Sequence, residues 1–240
     1  MRAADLSDIA RLAGEEGLRL RGAFHCETGD GVPPQRDGGE SRTLILLGNL
    51  GGSLWQQFAA SPEAGDGRPD PMNRWSIRII GGLAVRLDGL ALFPFGGAPY
   101  HPFLRWARRA EALSPSPLGM LIHPDYGLWH AYRGAVALGE HLALDEPIDV
   151  ASPCETCAGQ PCLTACPVDA FTQVKASTAA GYDVAACTAH LQTPAGADCL
   201  SGGCLARRAC PVAAEFCYEA PQAAFHMSAF LTSQTAKTEP

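Results

Sequence analysis

Eight of the ten cysteines in this 240-residue chain fall into two tetrads, and each tetrad ends in Cys-Pro. Cys154, Cys157, Cys162 and Cys166-Pro167 are spaced C-x2-C-x4-C-x3-C-P. Cys187, Cys199, Cys204 and Cys210-Pro211 are spaced C-x11-C-x4-C-x5-C-P. Short loops have to deliver these thiols to shared positions, which constrains the C-terminal part more than any apolar pattern does. Runs of thiolates closed by Cys-Pro hold [4Fe–4S] clusters, whose business is electron transfer.

Two other uses of cysteine fit less well. A zinc ribbon needs two CxxC knuckles, and only Cys154/Cys157 has that spacing. A disulfide framework belongs to secreted chains, and the opening MRAADLSDIARLAGEEG contains no apolar leader segment. The first run departs from the compact C-x2-C-x2-C-x3-C-P pattern, because Ala158-Gly159-Gln160-Pro161 lengthens one loop. The second run is looser, so Cys187 and Cys199 are its less tightly specified members. Cys217 is an alternative ligand there, although a small apolar packing role suits it better. Cys26 stands alone and reads as a free thiol.

Bulk properties narrow the function classes. Eighteen basic residues face twenty-five acidic ones, for a formal net charge of −7. Residues 151–240 carry only Lys175, Arg207, Arg208 and Lys237 as bases against seven acids. Composition therefore supplies no basic stripe for nucleic acid. No apolar run reaches the length of a membrane span, and available thiolates point to a reducing cytoplasm.

Composition changes near Pro147. Upstream, Asp5–Leu12 reads as a helix capped by Asp5 or Ser7, and Leu18–Phe24 alternates like a strand. Glu27–Arg42 is a polar Gly/Pro loop. Thr43–Leu47 is a continuous apolar run, expected of a strand covered on both faces. It leads through Gly48-Asn49-Leu50-Gly51-Gly52-Ser53 into a helix at Trp55. A loop over Ser61–Pro71 precedes a helix over Met72–Leu87 that places Trp75, Ile79 and Leu83 on one face. Leu90–Phe95 reads as a strand and His101–Leu113 as a helix. Met120–His123 and Leu128–Leu138 read as a strand pair joined by the turn Pro124–Gly127. Past Ser233 the chain reads as a disordered tail.

Two stretches resemble known families. Residues 154–211 resemble a bacterial dicluster ferredoxin, in which the fourth cysteine of each run ligates the other cluster. That resemblance implies Cys154, Cys157, Cys162 and Cys210 around one cluster, and Cys187, Cys199, Cys204 and Cys166 around the second. Ile122-His123-Pro124-Asp125-Tyr126-Gly127-Leu128-Trp129-His130-Ala131-Tyr132-Arg133-Gly134-Ala135-Val136 resembles the IHP-x-[FY]-G-x-W-x-A-x-R-G segment of cobalamin-processing proteins of CblC type. The order of domains is similar to that of epoxyqueuosine reductases and reductive dehalogenases, where clusters feed a corrinoid.

The implied fold is α+β: a nitroreductase-like α/β sandwich of CblC type over residues 1–147, a small dicluster ferredoxin-like module over 148–232, and a tail over 233–240. The resemblance further implies that His123, Tyr126, Gly127, Trp129 and Arg133 line a corrin pocket. The Gly48–Ser53 loop, with Gly48 and Gly51, would cover the corrin edge. The chain departs from both enzyme families: the catalytic acid of the reductases and the tyrosine donor of the dehalogenases are not placed, and neither the reductases' C-terminal repeats nor the dehalogenases' export signal is expected.

The expectation is a cytoplasmic iron–sulfur oxidoreductase in which two [4Fe–4S] clusters pass electrons to bound cobalamin. Its partner is an electron donor such as a reductase, flavodoxin or ferredoxin; neither membrane nor nucleic acid is expected. No catalytic residue is assigned, although His130 and Tyr126 are candidate proton donors. The alternative is a plain electron carrier whose N-terminal domain is a docking scaffold. A flavin enzyme ranks third, since no flavin-phosphate motif is recognisable.

Overall fold

In the computed structural model, which describes residues 5–145, 150–172 and 181–236, the apolar run at Thr43 becomes the strand Thr43–Leu50. Successive strand side chains point to opposite faces. Leu44, Ile45, Leu46 and Leu47 are all 0% exposed, so both faces are covered. Each such side chain contributes about 1.5–3 kcal/mol by leaving water. The sheet runs in the order Arg19–His25, Thr43–Leu50, His130–Leu138, Leu90–Leu92, and every neighbouring pair is antiparallel. With its helices, this makes the chain α+β.

Two register slips shape this sheet. Leu47 faces Gly134 but Gly48 faces Tyr132, which leaves Arg133 as an extra residue on its strand. Such a bulge re-aims a side chain. Here Arg133 Nε donates to Ser76 Oγ at 3.0 Å and its Nη2 to Asn73 Oδ1 at 2.8 Å, both on the helix Pro71–Arg86. Gly48 tolerates the crossing because a Cβ there would lie 1.9 Å from the Ala131 carbonyl oxygen. The other slip, between Leu20 and Ala23, coincides with Gly22 at φ +79°. It accompanies full burial of Arg21, which bonds Glu111 and the Asn49 carbonyl.

Helices cover the sheet. Asp5 caps Leu6–Glu15 by accepting the Asp8 N–H at 2.9 Å. Pro71–Arg86 buries Trp75, Ile79 and Leu83, the stripe its sequence spacing predicts. Other elements differ from expectation. The Ser61–Pro71 loop contains a short helix, Pro62–Gly65, tied to Pro71–Arg86 by Glu63–Arg78 at 2.6 Å and, just past its end, Asp66–Arg74 at 2.7 Å. The strand at Leu90 lasts only to Leu92, close to Pro94, which has no N–H for a ladder. The expected helix over His101–Leu113 spans Phe103–Ala110, because Glu111 turns extended and gives its carboxylate to Arg21. The expected pairing of Met120–His123 with Leu128–Leu138 does not form. Strands Thr43–Leu50 and Leu90–Leu92 occupy both edges of His130–Leu138, and Leu121–Ile122 pairs instead with Ser114–Pro115.

The chain divides into two compact units, and not at the expected boundary. One comprises Met1–Ala112 and His130–Val150; the other joins Leu113–Trp129 to Ala151–Pro240. Pro147, where composition changes, lies outside the described residues. The reason for the different division is apolar burial: Leu118, Ile122 and Leu128 form one core with Cys162, Ala206 and Cys210. The second unit is otherwise built of short helices, ending in Ala220–Thr235. Ser233–Thr235 are thus helical where a tail is expected; Lys237–Pro240 lie outside the described residues. Among the described residues, no helix is long and apolar enough to cross a membrane.

Candidate metal centre

Two Cys-Pro-Val segments, Cys166–Val168 and Cys210–Val212, organise the second unit. Proline has no N–H, so the sulfur of the preceding cysteine meets main-chain donors further along. Ala170 N–H donates to Cys166 Sγ at 3.3 Å, and the Val212 N–H favours ionised Cys210. In both segments the third residue after cysteine is left-handed, Asp169 at φ 48° and Ala213 at φ 56°. Each segment also follows a short helix, Pro161–Thr164 or Leu205–Arg208, and these two helices pack together. The tetrads therefore share local backbone as well as composition.

One set of thiols surrounds a cavity. Cys154, Cys157, Cys162 and Cys210 line it, with Leu118 and Ile122 among its apolar walls. Gln160, left-handed at φ 39°, ends the lengthened loop and starts the helix that carries buried Cys162. Burial pushes the thiols of Cys154 and Cys162 up, and the charge of Cys210 pushes them further. Burial also raises Cys210, against the Val212 N–H and with the charge of Cys157.

A second set is coupled in the same way. Cys187 stands on Val184–Leu191, a helix capped by Asp183; Cys199 is buried on Ala197–Gly202; Cys204 opens Leu205–Arg208. Burial raises Cys187, a hydrogen bond with Tyr182 opposes it, and the charges of Cys166 and Cys199 add to the rise. Burial likewise raises Cys204, opposed by N–H groups of Arg207 and Ala206 and reinforced by Cys187 and Cys199. Burial and then Cys187 push Tyr182 well up; its ring stacks on Phe171 at 4.8 Å. The charge of Cys166 thus acts on Cys187, and that of Cys210 on Cys154 and Cys162. Among the described residues, no group of three or more His, Cys, Asp or Glu closes around a single metal ion.

The remaining cysteines lie elsewhere. Cys217 packs against Trp129, Tyr218 and Ala223. Cys26 is a half-buried free thiol in the sheet unit, pushed up to about 11 by burial and then by Asp30.

The residues expected around a corrin are divided between the units. In the cysteine-bearing unit, His123 Nδ1 accepts the Asp125 N–H at 3.0 Å, and its ring lies 4.6 Å from that of Tyr126. Tyr126 meets Phe216 edge-on at 5.2 Å. Gly127, at φ +54°, passes so close to Val212 that a Cβ would lie 2.2 Å from its carbonyl oxygen. Trp129 is buried beside Tyr218, with the Arg207 guanidinium 4.4 Å over its ring. In the sheet unit, Arg133 is held by Ser76 and Asn73, Gly48 by the bulge, and Gly51 takes a turn at φ 51°. His130, the candidate proton donor, contacts Arg21 through Nδ1 at 3.2 Å.

Sequence reasoning missed Ser116, Tyr182 and the apolar wall from Leu118 to Leu128. The stiff Ser114-Pro115-Ser116-Pro117 run was the available signal for Ser116. Comparison with protein-family models, with curated proteins and with solved structures finds no match to this chain.

Proposed function

We propose that the chain is an iron–sulfur electron-transfer protein holding two [4Fe–4S] clusters. One would sit within Cys154, Cys157, Cys162 and Cys210, the other within Cys187, Cys199, Cys204 and Cys166. The observation that carries this reading is the cavity that brings Cys210 beside the three earlier thiols. Its donor set fits: thiols raised by burial and by one another's charge are costly to ionise alone, and bound iron offsets that cost. When bound, such clusters take up and release single electrons, at potentials set by hydrogen bonds to sulfur and by burial.

The chain's own residues do the rest. Leu118, Ile122, Leu128 and Val212 keep water from the first set of thiols. The Ala170 N–H after Cys166-Pro167 donates to sulfur, and the Val212 N–H after Cys210-Pro211 favours the ionised form of Cys210. Tyr182 does the same for Cys187 through its hydroxyl.

The destination of the electrons rests on resemblance. The Ile122–Val136 segment supports a nitroreductase-like domain of CblC type and a corrinoid acceptor. The second reading, an electron carrier serving a partner protein in the cytoplasm, is favoured by a specific observation: the proposed corrin-lining residues are engaged in contacts or close approaches within their own units.

Anaerobic reconstitution with iron and sulfide tests the proposal. About eight iron atoms per chain and two reducible centres by electron paramagnetic resonance are expected; zinc uptake with no reducible centre would refute it. Titration of the loaded protein with cobalamin then separates the two destinations, since only a corrinoid site shifts the cobalamin spectrum to its base-off form.

A further inference from the structure

Ser116 stands at the head of the hairpin made by Ser114–Pro115 and Leu121–Ile122. Its N–H donates to the Met120 carbonyl at 2.9 Å, and its carbonyl accepts the Gly119 N–H at 3.0 Å. Both main-chain groups are therefore engaged in the turn, and Pro115 and Pro117 restrict the backbone on either side. The residue is 8% exposed, and its buried Oγ has no hydrogen-bond partner among the described residues. Leaving a buried hydroxyl unsatisfied costs about 1–3 kcal/mol. Ser116 also lines the cavity shared by Cys154, Cys157, Cys162 and Cys210.

We propose that Ser116 donates its hydroxyl hydrogen to a sulfur of the cluster held in that cavity, and so raises the cluster's reduction potential. The proposal rests on the iron–sulfur reading. The reduced cluster carries one more negative charge than the oxidised one, so a donor at sulfur stabilises it more. The hydroxyl gains the acceptor it otherwise lacks. Ser116 is contributed by the segment that precedes every ligand cysteine.

Potentiometric titration of the reconstituted full chain, followed by electron paramagnetic resonance, tests this. In Ser116→Ala the potential of one cluster should fall, with up to about a tenfold change in its oxidised-to-reduced ratio at fixed solution potential, equivalent to about 59 mV. The other cluster should not move. Ser116→Thr and Ser116→Val form a second pair of near-equal shape; the hydroxyl-bearing Thr chain should hold the higher potential. Equal potentials within both pairs, at full iron content, would overturn the role of Ser116 while leaving the cluster assignment intact. A wild-type chain that takes up no iron would overturn the reading beneath it.

Discussion

Arg21 and Glu111 meet through two parallel hydrogen bonds, Nε to Oε1 at 2.9 Å and Nη2 to Oε2 at 2.8 Å, with the arginine side chain withdrawn from solvent. The Tyr132 hydroxyl donates to the same carboxylate, and burial followed by the Glu111 charge pushes that hydroxyl's pKa well up. Removing one partner leaves a buried charge uncompensated. Glu111→Ala should therefore destabilise the sheet unit by about 3–5 kcal/mol. Replacing both, as Arg21→Met with Glu111→Leu, should recover most of that loss. Urea denaturation followed by far-ultraviolet circular dichroism measures both.

Glycines at two places should respond in opposite directions. At Gly48 a methyl group would run into the Ala131 carbonyl, which is backbone and cannot step aside. Gly48→Ala should cost about 3 kcal/mol or more. Gly82 lies inside the helix Pro71–Arg86 with nothing within 4 Å of an added Cβ. Gly82→Ala should stabilise by about 1 kcal/mol, the helix-propensity difference. Thermal melts of the two variants beside wild type decide the pair.

Cys26 should be slow to alkylate. Its thiol is raised from 9.0 to about 11, so at pH 8 its thiolate is about a hundredfold scarcer than that of an ordinary cysteine. The linkage has a definite sign. A folded-state pKa above the unfolded one contributes stability that is complete below about pH 9 and lost as pH rises toward about 11. Mass spectrometry of the cluster-loaded chain after timed iodoacetamide treatment reads the rate at Cys26. Modification as fast as a model thiol would contradict the burial argument.

Exchanging single ligands tests the crossing. Cys210→Ser should damage the centre of Cys154, Cys157 and Cys162, and Cys166→Ser the centre of Cys187, Cys199 and Cys204. Each variant should lose about half the iron, with loss of a different resonance signal in each. The same signal lost in both variants would refute two separate sets.

The apolar run at Thr43 and the stripe Trp75, Ile79, Leu83 announce their elements because burial on a strand or helix leaves a periodic trace. The two tetrads and their Cys-Pro endings are equally legible, since the spacing of their cysteines is local. Partnership between distant segments leaves no such trace. Nothing local in Met120–Leu138 tells that His130 starts a central strand while Leu121 turns back to Ser114. The Arg21–Glu111 pair joins residues ninety positions apart, and the slip that accompanies the burial of Arg21 shows in sequence only as one glycine, Gly22. Trp129 against Tyr218, and Arg133 bonded to Ser76 and Asn73, are further contacts between distant segments that no local pattern announces.

The borrowed segment Leu113–Trp129 has a consequence for how this chain can be made and cut. Translation delivers Leu118, Ile122 and Leu128 before any of the eight tetrad cysteines, so the wall of the thiol cavity leaves the ribosome ahead of its thiols. A protease or a cloning boundary placed just before Ala151 would keep all eight tetrad cysteines and discard that wall. The module cannot be transplanted with a single cut; both passages of the chain have to travel together.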